Sequence, residues 1–166
     1  MGSEFGQFIE WDYEKELDWL LLQYPMHEKL RRFYAELNGC YTSNPAMFEF
    51  DKSWDGFKWL NVNDRDRSSI AFMRSGRTGR QIVCACNFTP NRHCGFVVGL
   101  DAPGTLREIL NSDDVRFGGS GMHNEADIPI SEKAFCEHPY SAKIDLPPLS
   151  TVYFEYIPER VSEDDE

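Results

Sequence analysis

The run Ser69-Ile70-Ala71-Phe72-Met73-Arg74, then the turn Ser75-Gly76-Arg77-Thr78-Gly79, then Gln81-Ile82-Val83-Cys84-Ala85-Cys86-Asn87, decides the fold. Two short apolar stretches flank a Gly-rich break, a pattern of extended strands and not of a helix. Working outward, the same pattern recurs at Phe57–Val62, Gly95–Leu100, Leu106–Leu110, Ala142–Leu146 and Thr151–Tyr156. Turn signals separate these stretches: Asn63-Asp64, Thr89-Pro90-Asn91, Ala102-Pro103-Gly104 and Pro147-Pro148. Short strands at this spacing predict an antiparallel β-sandwich of about 100 residues, which residues 57–156 supply.

Residues 14–43 follow a different period and read as helix. Leu17, Leu20 and Leu21 fall on one face of the first part, with Asp12 as its N-cap. Pro25 interrupts, because it lacks an amide proton and its neighbour avoids helical torsions. A second helix is predicted from Met26. Its Leu30, Phe33, Tyr34 and Leu37 fall at i, i+3, i+4 and i+7. Asn44-Pro45 stops it.

From Asn111 to Tyr140 the pattern is irregular, and it includes Phe117-Gly118-Gly119-Ser120-Gly121. Loops this long in a compact domain are functional, partner-packed or mobile. The glycines do not follow phosphate-loop spacing. The last five residues, Ser162 to Glu166, hold four carboxylates and no apolar group, and read as a solvated, disordered tail.

The composition excludes several functions. The net charge is −11, from 28 acidic against 17 basic residues. A general nucleic-acid binder needs a basic footprint, and an anionic membrane surface attracts basic segments. No apolar run reaches the length needed to span a bilayer and no secretory signal is visible, so a cytoplasmic location is expected. Five cysteines without such a signal favour free thiols. Cys84 and Cys86 lie two apart in an apolar run, where they read as small core side chains and not as a zinc pair.

Nothing in the spacing selects a nucleophile. Ser120 lacks the strand context of a nucleophile elbow. His27, His123 and His138 form no metal motif, so neither metal nor cofactor is expected. Among the carboxylates only Glu4 stands apart, between Gly2 and Gly6 and beside Phe5. Taken alone, Gly2-Ser3-Glu4-Phe5 also reads as residue left by cloning. The aromatics are the remaining signal. Flat rings stack on the apolar faces of sugars. Phe57 and Trp59 share a face of the first strand. If that face is inward, Trp59 is core. If it is outward, Trp59 is a platform.

At these residues the sequence resembles a known family. Gly2-Ser3-Glu4-Phe5-Gly6-Gln7, Glu10-Trp11, Leu21-Leu22-Gln23-Tyr24-Pro25-Met26-His27 and Asn44-Pro45-Ala46 occur in order with Phe57-Lys58-Trp59-Leu60. Asn87-Phe88-Thr89-Pro90, Arg107 to Asp113, Phe117 to Gly121 and Leu146-Pro147-Pro148-Leu149-Ser150-Thr151 follow. Together, from the first residues to about Ile157, they resemble the C-terminal part of bacterial-type 1,4-α-glucan (glycogen) branching enzymes of the α-amylase superfamily. The resemblance sets aside the cloning reading of Gly2 to Phe5.

It implies a mainly β fold. An antiparallel β-sandwich of the amylase C-terminal type, residues 46–157, would follow a helical remnant of a (β/α)8 catalytic barrel, residues 1–45. The acidic tail would occupy 158–166. It implies a parent that cleaves an α-1,4 linkage and makes an α-1,6 branch by a retaining mechanism. No motif here matches the three carboxylates of that mechanism, so a catalytically inert fragment is expected. The resemblance makes Trp59, then Trp54, candidate glucan platforms. It places Glu4, Gln7 and Trp11 near the catalytic face of the barrel. The implied partners are α-glucan, the rest of the barrel, and a second copy through residues 14–37. The Asn111–Gly121 loop would cover a domain interface, or else be a surface excursion. The other reading is a self-sufficient carbohydrate-binding β domain, for which residues 1–45 have no evident use.

Overall fold

The computed structural model describes residues 1–124 and 126–159. The acidic run read as a tail lies, from residue 160 on, outside the described residues. Pro158 instead closes the last strand.

Among the described residues eight strands form two antiparallel sheets: β1 (Phe57–Asp64), β2 (Ser69–Ser75), β3 (Gln81–Asn87), β4 (His93–Leu100), β5 (Gly104–Asn111), β6 (Ile128–Pro129), β7 (Tyr140–Leu146) and β8 (Ser150–Pro158). One sheet has the order β1-β2-β3-β8-β5-β6, and the other pairs β4 with β7. Every strand expected from the sequence is present. β6, which lies in the stretch read as irregular, is additional. Two residues are too few to carry a periodic signal.

The core lies between the sheets. Leu60, Ala71, Met73, Val83, Ala85, Leu106, Val152, Phe154 and Tyr156 of the large sheet meet Phe96, Val98, Leu100, Ala142, Ile144 and Leu146 of the small one. Removing this apolar area from water is the main stabilising term. The strands alternate, so Ile82, Cys84 and Cys86 point to the opposite face. They are buried as well. On that face the 3-10 turn Pro45–Met47 packs on β2 and β3. β3 is therefore covered on both sides, which is why its central run is uniformly apolar.

The segment before the sandwich differs from its expected form. No α-helix spans residues 14–22. Asp12 shapes a turn instead, its Oδ1 accepting from the Glu14 amide at 3.0 Å and its carbonyl from Lys15 at 3.2 Å. Trp19–Gln23 form a 3-10 turn. Tyr24 is then extended, at φ −94° and ψ 130°. The cause is Pro25, which disfavours helical torsions at Tyr24 and leaves too few residues before it for a stable helix. Leu17 and Leu21 are half-buried, but Leu20 is exposed.

The second helix, α1, runs from Pro25 to Ser43. Proline fits its first turn because that amide needs no intrahelical partner. The Asn111–Gly121 loop joins α1 to the sandwich. Phe117 packs edge-on against Phe33, with ring centroids 5.3 Å apart. Arg116 pairs with Glu36 at 3.0 Å, and the Lys29 ammonium donates to the Val115 carbonyl. Asp113 shapes the loop by accepting from the Ser120 amide at 2.9 Å and from its hydroxyl.

Candidate carbohydrate site

Trp59 lies on the outward face of β1, the free edge of the large sheet. Its partner across the strand pair is Phe72. Phe57 lies between them in space, 4.9 Å from the Trp59 ring and 5.4 Å from that of Phe72. Trp54 extends the patch from the 3-10 turn Trp54–Gly56, 5.8 Å from Phe57. The two tryptophans are 82% and 46% exposed, for Trp54 and Trp59 in turn. Trp59 is thus a surface ring backed by two phenylalanines, not a core residue. Such backing fixes the ring plane, so little side-chain entropy remains to be lost on stacking.

A groove of about 480 Å³ runs along the same strand edge. Lys58, Trp59, Asn61 and Asn63 line one wall, and Glu137 and His138 the other. A polar cluster ties the walls together. Lys58 donates to Asp101 at 2.6 Å, and His138 shares a 2.7 Å hydrogen bond with the other Asp101 oxygen. Burial alone pushes the Asp101 carboxyl up. The hydrogen bonds and charges of Lys58 and His138 outweigh this and hold it below its ordinary value.

Glu4, Gln7 and Trp11 all lie elsewhere, on the arm. Glu4 is half-buried in the 3-10 turn Ser3–Phe5. That turn sits at the start of α1, where His27 hydrogen-bonds the Phe5 carbonyl at 2.7 Å and Phe5 is fully buried. The Gln7 carboxamide is engaged inside the arm. It accepts from the Asp18 amide at 3.0 Å and donates to the Ile9 carbonyl at 3.1 Å. Trp11 is about half exposed. No hydrogen bond or ring contact among the described residues links these three to Trp54 or Trp59.

Phe72 and Asn61 were not singled out from the sequence. Phe72 joins the patch only through strand register, and Asn61 faces the groove only because β1 is irregular on either side of it. Among the described residues no cluster of three or more His, Cys, Asp or Glu side chains could hold a metal. The hydrogen bond with Cys86, together with burial, pushes the Cys84 thiol well up, making it a neutral packing group. No helix among the described residues is long and apolar enough to cross a membrane.

Known proteins share this architecture. The chain is 42% identical over 156 residues to the 1,4-alpha-glucan branching enzyme GlgB of Halothermothrix orenii, covering 93% of the chain and 25% of the relative. The enzyme of the same name from Aquifex aeolicus is 40% identical over 157 residues, covering 94% and 25%. The chain thus spans about a quarter of the length of these relatives. Among solved structures, the catalytic module of the glycogen-degrading pneumococcal virulence factor SpuA superposes with a TM-score of 0.51 at 15% identity, covering 87% of the chain and 20% of the module. That likeness concerns the fold alone. Residues 59–157 match the family described as the alpha amylase, C-terminal all-beta domain. Matched over its whole sandwich from Trp59 to Ile157, the chain belongs to that family.

Proposed function

We propose that the chain serves within a 1,4-α-glucan branching enzyme. There it supports the catalytic barrel and grips the glucan without breaking bonds itself. The similarity to branching enzymes over 93% of the chain carries this reading, since it extends beyond the β domain into the arm. A free carbohydrate-binding module would not need the arm.

Trp59 and Trp54 stack against the glucan as outlying platforms. Glu4 and Trp11 contact substrate at the end of the barrel, and Gln7 braces the turn that carries Glu4. The exposed Phe8, Ile9, Trp19 and Leu20 give the rest of the enzyme an apolar surface to cover. When that surface is uncovered, a second copy of the chain binds there through residues 14–37. Residues 1–45 act as the arm, and 46–157 as the sandwich. The acidic balance suits a cytoplasmic partner of an uncharged polysaccharide.

Catalytic inertness rests on the carboxylates. A retaining mechanism needs a nucleophile and an acid about 5–5.5 Å apart, the acid with its pKa raised. In this chain no sequence motif matches the family's three catalytic carboxylates. The test is incubation of the chain with amylose, following iodine colour and new α-1,6 linkages. No branching is expected. Appreciable branching overturns the inert assignment, and loss of glycogen retardation in Trp54→Ala and Trp59→Ala gels supports the grip.

A further inference from the structure

We propose that Cys86 is a modification site, a thiol that hydrogen peroxide oxidises to a sulfenic acid, with Thr151 and Cys84 as the groups that activate it. The site lies on the outer face of the large sheet and does not depend on the glucan reading.

Strand register brings the three side chains together. Cys86 of β3 stands across the strand pair from Thr151 of β8. The Thr151 hydroxyl donates to the Cys86 sulfur at 3.4 Å. Cys84, two residues back, shares the same face of β3, and its thiol hydrogen-bonds Cys86. Packing alone would be served by alanine or valine, with no hydroxyl aimed at the side chain.

A sulfur that accepts hydrogen bonds carries negative charge more easily. The bond from Cys84 contributes most, burial opposes it and Thr151 adds to it, so that the Cys86 thiol is brought down to about 7. The thiolate is the nucleophilic form. The other four thiols differ. Burial pushes Cys40 up, and the hydrogen bond to Cys86 together with burial pushes Cys84 well up. Cys94 and Cys136 are exposed, and no hydrogen bond among the described residues reaches either sulfur.

Access selects the oxidant. Cys86 is 8% exposed, on the face of β3 that the turn Pro45–Met47 covers. Hydrogen peroxide is small enough for such a sulfur, whereas bulky disulfides are not. In the step, the Cys86 thiolate attacks one peroxide oxygen. An S–O bond forms as the O–O bond breaks, and the departing hydroxide takes a proton from solvent to become water. The sulfur loses two electrons and the peroxide gains them. Cys84 is badly placed to close a disulfide on the product. Residues two apart in a strand have Cα atoms about 6.6 Å apart, at the far end of the disulfide range, with parallel Cβ bonds. The sulfenic acid therefore persists in the folded chain.

The test is brief exposure of the reduced 166-residue chain to hydrogen peroxide at pH 6. The reaction is quenched in urea with dimedone and iodoacetamide and read cysteine by cysteine by mass spectrometry. Cys86 should collect dimedone about fivefold faster than the exposed Cys94 and Cys136, since its larger thiolate fraction outweighs its lower nucleophilicity. Bulky Ellman's reagent on the native chain should reverse that order. Thr151→Val and Cys84→Ala, each checked for an unchanged urea midpoint, should slow Cys86 about threefold, as loss of one uncharged hydrogen bond would. Either variant serves if the other does not fold. Peroxide oxidation of Cys94 and Cys136 ahead of Cys86 overturns the site and leaves Cys86 a packing residue. Unchanged Cys86 rates in both variants overturn the activation by Thr151 and Cys84. Cys86 reacting first with Ellman's reagent as well overturns the selection by size, and a Cys84–Cys86 disulfide in place of the dimedone adduct overturns the persistent sulfenic acid.

Discussion

Trp59 of β1 stands directly across the strand pair from Phe72 of β2, with ring centroids 6.0 Å apart and planes at 82°. Phe57 also meets Trp59 edge-on, and Trp59 stays exposed beside the two rings. An aromatic patch of this kind costs solubility, which makes its persistence on the surface a pointer to use.

Trp54 and Trp59 should differ in what they contribute. Trp54 is almost free of packing, so Trp54→Ala should change stability by less than about 0.5 kcal/mol. Trp59→Ala loses ring contacts and should cost about 1 kcal/mol, in line with measured aromatic pairs. Both should reduce retardation in glycogen gels. Urea unfolding alongside the gels separates the two effects.

Phe117 should be the main tie between sandwich and helix. It is buried against Phe33. Phe117→Ala should destabilise the chain by about 3 kcal/mol, typical for a large aromatic truncated in a packed site. Hydrogen exchange should then accelerate in α1 more than in β3. Equal protection in α1 before and after the substitution would sink this assignment.

The Asp101 cluster should make the groove sensitive to acid. Its carboxyl is lowered in the folded chain, so the stabilisation is present above the unfolded pKa, near the ordinary value of 3.8. It is lost as pH falls through the folded value. Lys58 loses its counter-charge and His138 its carboxylate hydrogen-bond partner when Asp101 protonates. The difference in urea midpoint between the wild type and Asp101→Asn should be largest at pH 6 and should shrink by pH 3. A difference that is constant across that range would contradict the cluster's role.

Gly99→Ala should open the groove. The added methyl meets the Phe135 backbone, which cannot swing aside as a side-chain tip would. A cost of about 2 kcal/mol is expected, in the range seen for overpacked interiors. Proteolytic nicking should rise within residues 131–139.

Leu20 should govern association. It is 66% exposed beside the half-exposed Trp19. Leu20→Lys should convert any concentration-dependent dimer seen by light scattering into monomer, with little change in unfolding. A monomeric wild type at high concentration would contradict association through the arm.

The strands of the sandwich other than β6 were legible because each is a short apolar run bounded by turn residues, a signal local to a few positions. α1 was legible for the same reason, through its repeating apolar stripe. The helix expected before it was not formed, because the period of Leu17, Leu20 and Leu21 competes with a proline and too short a span. The aromatic patch was half legible. Alternation put Phe57 and Trp59 on one face, but no local rule says whether that face looks inward or outward.

The residues alone therefore determined every strand but β6, the α1 helix, the acidic balance and the family likeness. Tertiary structure decided that β1 lies at a sheet edge, that Phe72 backs Trp59, and that Asn61 opens onto a groove closed by His138. The division is physical. Periodicity and turn chemistry act between neighbours in sequence, whereas exposure depends on which strand ends up without a partner, a property of the whole sheet.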